Sequence, residues 1–125
     1  ALRKALPRIS TYELEQRLEL EVAVRDLGDL DVMGIMPAEA FPIVRDAAAA
    51  AVAAHRLTLL IGGNNAVTRP AAHALGVPLG EVGLITLDAH FDLRGTGDGP
   101  RNGNPVRCLL EDGLPGGNIC QIGLA

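Results

Sequence analysis

LITLDAHFDLR, from Leu84 to Arg94, decides the reading of this chain. An apolar run beginning at Val82 passes directly into Asp88, His90 and Asp92, three metal-ligating side-chain types at alternate positions. Alternate residues of an extended chain project to the same side, so the spacing predicts that all three line one face of a strand's carboxyl end. A lone histidine beside a carboxylate would be read as a hydrogen-bonded turn, whereas three ligand types at period two favour a cation. Two carboxylates and one imidazole form a borderline-hard donor set, suited to manganese, iron or zinc rather than calcium. A pair of divalent ions that activates water, ~3.5–4 Å apart, needs more negative charge than these three groups supply.

Working outward, strands and helices are expected to alternate. Val82 to Thr86 reads as a buried strand, and Leu57 to Gly63 (LTLLIGG) as another, buried on both faces. Phe41, Val44, Ala48, Val52 and His55 fall at helical spacing, which predicts a helix over 37–56 with Glu39 at its acid-favouring start. A second helix opens at Thr68-Arg69-Pro70 and ends near Gly76, a third covers Val106 to Asp112, and Asn118 to Leu124 reads as a strand. Near the N-terminus, ALRKAL reads as a short helix broken by Pro7. Leu20, Val22 and Val24 alternate with charged residues as in a half-buried edge strand, closed by a turn at Asp26 to Asp29. Strand and helix in alternation predict a parallel sheet with helices on its faces, an α/β fold whose ligands gather at the strands' carboxyl ends.

Length and composition narrow the field. The 125 residues suffice for one core, and 48% of them are apolar, with only Tyr12, Phe41 and Phe91 as aromatic rings, which suits closely packed layers. A formal charge of −4 and no run of Lys or Arg argue against nucleic acid or an anionic membrane as partner. No apolar run reaches the ~20 residues of a membrane span, so a soluble, cytoplasmic protein is expected. Cys108 and Cys120, among aliphatic neighbours and without paired spacing, read as buried free thiols. IGGNNAVTRP has the strand–glycine–helix order of a phosphate loop but neither its Gly-Lys-Ser/Thr ending nor G-x-G-x-x-G, and Gly95, Gly97 and Gly99 read as loop glycines.

LITLDAHFDLR resembles the Asp-Ala-His-x-Asp metal motif of the manganese-dependent ureohydrolases: arginases, agmatinases, guanidino-acid hydrolases and formimidoylglutamases. IGGNNAVTRP resembles that family's Gly-Gly-Asp-His-Ser motif one strand earlier, and DLGDL and QIGLA resemble its connecting strands, so the likeness covers nearly all 125 residues. The resemblance implies a three-layer α/β/α fold around a parallel sheet, with two Mn2+ ions at the strand ends and a hydroxide between them that attacks an amidino carbon. By position, Asp88 would bridge both ions, His90 would bind one and Asp92 the other. The same likeness implies a homo-oligomer acting on a small-molecule amidine or guanidine.

Three departures from the family pattern carry information. The motif's histidine falls at Asn65 and the aspartate before it at Asn64; a carboxamide oxygen is an uncharged and weaker ligand for manganese than an imidazole. The family's Ser-x-Asp-x-Asp motif and N-terminal strand have no counterpart, so the chain is expected to be a partial ureohydrolase domain, its central portion. After the metal motif, Asn102-Gly103 stands where arginases and agmatinases carry His-Gly, and RNGNPVRCLLEDGLPG is most similar to the formimidoylglutamase branch. That branch implies N-formimidoyl-L-glutamate as substrate, with Asn102 and Arg94 near it, Arg94 because a guanidinium fork suits a carboxylate. Arg107 is an outside candidate, with a solvated helix face as its plainer reading. The alternatives are an arginase, agmatinase or guanidino-acid hydrolase, and a ureohydrolase-fold binding protein without activity, which Asn65 favours.

Overall fold

The computed structural model describes residues 2–21 and 23–125. Its helices are α1 (Leu2–Ala5), α2 (Pro37–Ala54), α3 (Thr68–His73) and α4 (Pro105–Glu111), and its strands β1 (Tyr12–Glu13), β2 (Leu18–Glu19), β3 (Leu84–Leu87) and β4 (Ile119–Ile122). β1 and β2 form a short antiparallel hairpin. β3 and β4 pair in parallel, Leu84 opposite Ile119 and Leu87 opposite Ile122, with α4 in the connection between them. This is the strand–helix–strand order that the hydrophobic runs predict, with helix boundaries within a few residues of those expected.

The core explains the register. Leu84 and Ile119 point towards the helices and pack on a cluster of Ala72 from α3, Leu109 from α4, Val82 and Leu114. Leu109 and Leu114 are almost wholly buried. Gly113, at φ +109°, takes the left-handed conformation that ends α4, and the Leu114 N–H returns to the Leu109 carbonyl at 2.9 Å, so the side chain after the turn folds back onto the core. Because strand side chains alternate, Ile85 and Leu87 project to the opposite face, where they are 71% and 81% exposed beside Ile122.

A polar staple joins the three longer helical elements. The Arg69 guanidinium donates to both carboxylate oxygens of Asp112, at 2.6 and 2.7 Å, and His73 Nε2 lies 2.9 Å from the same group. Phe41 of α2 packs against this cluster, its ring centroid 4.9 Å from the Arg69 guanidinium carbon and 5.3 Å from the His73 ring. Burial pushes the Asp112 carboxyl upward, but the hydrogen bonds from Arg69 and His73 outweigh it and hold the group below the ordinary range. Their convergence was not legible in the sequence, because α2, α3 and α4 bring them together from positions up to 71 apart (Phe41 to Asp112).

Several expectations are corrected. Leu57 to Gly63 belongs to no strand among the described residues; Leu57, Leu59 and Ile61 are exposed, since an apolar run is buried on both faces only where neighbours flank it. Leu20 and Val24 are exposed and outside any strand, and Val22 lies outside the described residues. DLGDL is irregular rather than a connecting strand, and the turn expected over Asp26 to Asp29 is reduced to one contact, the Gly28 N–H on Asp26 Oδ1 at 2.9 Å. Arg3 pairs with Asp26 and Asp29, which ties the N-terminal turn to that segment. Cys108 is buried as expected, but Cys120 is exposed on the same face as Ile122. Among the described residues, no helix is long and apolar enough to cross a membrane.

Candidate metal centre

β3 ends at Leu87, and the Asp88 N–H continues the parallel ladder one step further, donating to the Ile122 carbonyl at 3.1 Å. There the extended alternation stops. Asp88 Oδ1 accepts the His90 N–H at 3.0 Å and meets His90 Nδ1 at 3.1 Å, which folds the chain into a bend at Ala89 and His90. Asp92 then takes φ +54°, a left-handed conformation that aspartate and asparagine tolerate better than most residues. The expectation that all three side chains share one strand face is therefore corrected: period two holds only while φ stays extended.

The result is a division of the trio between two adjoining clefts. Asp88 and Asp92 line one of about 200 Å³ together with Asn65, Thr68 and Val106. His90 lines the other, of about 360 Å³, with Arg94 and Gly103, and Asp92 forms part of both walls. Asp92 is 8% exposed, whereas the His90 side chain is 79% exposed. The loop carrying them is anchored on both sides. Gln121 of β4 donates to the Phe91 carbonyl at 3.2 Å, and the Asp92 carbonyl accepts the Arg107 N–H at the start of α4 at 3.1 Å.

The two carboxylates are held in opposite electrostatic states. The His90 N–H, and then its imidazole, hold Asp88 below the ordinary carboxylate range. Burial, followed by the negative charge of Asp88, pushes Asp92 upward, and the Asn65 amide only partly opposes this. A buried carboxylate facing a second across one cleft, with an imidazole beside them, is a site short of positive charge. Its donor set fits a divalent cation. The described residues nevertheless contain no convergence of three His, Cys, Asp or Glu side chains on one point, so the set is incomplete as it stands.

Asn65 reaches this cleft from the segment before α3. Its Nδ2 donates to Asp92 Oδ2, while its Oδ1 accepts the Thr68 hydroxyl at 2.8 Å. Asn64 points elsewhere, its Oδ1 capping the Ala66 N–H at 2.9 Å. Asn102 is exposed in the turn before α4 and lines neither cleft, and Arg107 pairs with Glu111 at 2.6 Å on the solvated side of α4. The residue that sequence reasoning passed over is Asn104, 2% exposed. Its Oδ1 accepts the Arg101 N–H at 2.7 Å and its Nδ2 donates to the Gly95 and Gly99 carbonyls, both at 3.1 Å, which holds the loop after Arg94 in shape. An asparagine directly before a proline at the first helical position was the available signal.

Comparison with known proteins places the chain in a family. The arginase family matches over residues 1–125. A formimidoylglutamase of Halalkalibacterium halodurans is 35% identical over 98% of this chain and 40% of its own length. A guanidinopropionase of Pseudomonas aeruginosa is 36% identical over 86% of this chain and 32% of its own length. The crystal structure of the formimidoylglutamase from Bacillus subtilis superposes with a TM-score of 0.83 at 30% identity, over 96% of this chain and 39% of that one. The chain thus spans between a third and two fifths of the length of the formimidoylglutamases it matches, and its sheet and helices are part of the arginase-like α/β/α fold. On the full-length match and the shared fold, the chain belongs to the arginase family.

Proposed function

We propose that the complete protein is a manganese-dependent hydrolase of linear amidines, splitting N-formimidoyl-L-glutamate with water into L-glutamate and formamide. The observation that carries this reading is the buried Asp92 facing the same cleft as Asp88, an arrangement that a cation completes. The formimidoylglutamases among the relatives support the substrate. Asp88, Asp92 and His90 are the residues that would hold manganese, with further carboxylates expected from elsewhere in the protein. When bound, the metal supplies a nucleophile by making water acidic enough to ionise near neutral pH. By likeness to the family, we take the working form to be a cytoplasmic homo-oligomer.

The second cleft suits the glutamate portion of the substrate. Arg94 lies in its wall beside His90, and a guanidinium can receive a carboxylate with two parallel hydrogen bonds. The Arg94 side chain runs across Gly103: a Cβ there would stand 2.9 Å from its Cδ, and the backbones are joined by Arg94 N–H to Gly103 carbonyl at 3.1 Å. Gly103→Ala is therefore expected to displace Arg94 without unfolding the loop, since the obstructing atom belongs to a flexible side chain. Steady-state kinetics should show KM for formimidoylglutamate rising about tenfold with kcat nearly unchanged, the pattern of lost ground-state binding. Asn102, next to Gly103, is proposed to border the same cleft once substrate is present.

The deciding experiment is formamide release from N-formimidoyl-L-glutamate by the complete gene product with manganese, using arginine, agmatine and guanidinopropionate as controls. Turnover confined to formimidoylglutamate supports the proposal, and turnover confined to a guanidino compound replaces it with that compound's hydrolase. Folded, manganese-loaded protein inert towards all four points to the binding protein instead.

A further inference from the structure

We propose that Asn65 acts as a clamp on Asp92 rather than as a metal ligand, so that each subunit holds one manganese ion where the family pattern implies two. The proposal deepens the manganese-hydrolase reading above and rests on it. Its basis is the direction of one carboxamide. The Asn65 amide nitrogen is turned towards Asp92 Oδ2, and an N–H group can donate to a carboxylate but cannot ligate a cation. The atom that could ligate, Oδ1, is turned away and receives the Thr68 hydroxyl at 2.8 Å.

Asp92 fixes which way the amide faces. Turning the amide over would set its oxygen against Asp92 Oδ2, two acceptors face to face, whereas the Thr68 hydroxyl can donate or accept and meets either end of the amide. Asn64, at the position of the family's carboxylate, is also withdrawn, because its oxygen caps the Ala66 N–H. The segment thus offers the cleft one hydrogen-bond donor and no negative charge.

What remains suits a single ion. Asp92 is held by a neutral donor, which orients its carboxylate without cancelling the charge that attracts the cation. Outer groups that orient a metal-binding carboxylate typically matter by about 10–100-fold in metal affinity. Asp92 is then presented together with Asp88 in the cleft they share.

The test is the amount of manganese retained per subunit by the complete protein, measured by elemental analysis after dialysis, with affinities from calorimetry. One ion per subunit is expected in the unaltered protein, and Asn65→His is expected to add a second. Asn65→Ala separates a clamp from a ligand: losing a clamp keeps one ion per subunit and lowers its affinity about tenfold, whereas losing a ligand lowers the number of ions held. Two ions in the unaltered protein, or undiminished affinity in Asn65→Ala, overturn the clamp while leaving the hydrolase reading intact. Folded protein that retains no manganese at all overturns both. The count on the unaltered protein needs no variant, so the inference can be tested even if Asn65→Ala folds poorly.

Discussion

Asp92→Asn in the complete protein is expected to weaken manganese binding by at least ~100-fold and yet to melt at a higher temperature when metal is absent. The first effect follows from exchanging a charged ligand for a neutral one. The second follows from the metal-free electrostatics. Burial and the neighbouring Asp88 raise the Asp92 carboxyl in the folded protein, so the folded state holds that proton more tightly than the unfolded chain does. The favourable contribution of the protonated group is complete below an unfolded value of about 3.9 and is lost as pH rises through the raised native value. At neutral pH the ionised group is a cost to the fold, which asparagine removes. Asparagine also tolerates φ +54° and can still accept the Asn65 N–H. The gain should appear as a higher Tm. Thermal melts in chelator should show the difference near pH 7 and its disappearance at or below about pH 3.9; a variant that melts lower at pH 7 contradicts the argument.

Asn104→Ala carries the largest expected loss of stability. It removes a side chain that bonds one N–H and two carbonyls of the loop between Arg94 and α4, at a position where water barely enters. Lost hydrogen bonds at about 1 kcal/mol each, with orphaned groups adding to them, suggest about 2–4 kcal/mol. Denaturant unfolding of the metal-free protein should show a lower midpoint at unchanged slope, the sign of altered stability rather than altered compactness. A loss below about 0.5 kcal/mol for alanine would mean that the loop is shaped by something else.

The sequence showed well what depends on local pattern. The helical spacing of Phe41, Val44 and Ala48 and the apolar runs before Asp88 and around Ile119 became elements near their expected bounds, because their buried faces meet within this chain. Leu57 to Gly63 carries an equally strong run, but hydrophobicity records what a segment can bury and not whether a partner flanks it. At the site, the chemical types at 88, 90 and 92 were legible and their directions were not. Alternation assumes an extended backbone, and the bend made by Asp88 with His90 and the left-handed Asp92 are products of hydrogen bonds and burial. Thr68, Gln121 and Asn104 were missed for a related reason: each acts on residues that chain folding, not spacing, brings to it. Asn65 was legible as a departure, but only its orientation indicates what the departure does.

The open side of the sheet has a consequence for the protein's birth. Ile85, Leu87 and Ile122 present a bare apolar surface, with Leu57, Leu59 and Ile61 similarly uncovered. During synthesis such a surface exists from the moment β4 joins β3, and until it is covered it is the kind of surface that sticks to its own copies. The carboxylates at the end of β3 thus follow directly on a strand whose other face must be covered. Substitutions that delay covering of that face would be felt as lost soluble yield, even where every residue touching the cation is intact.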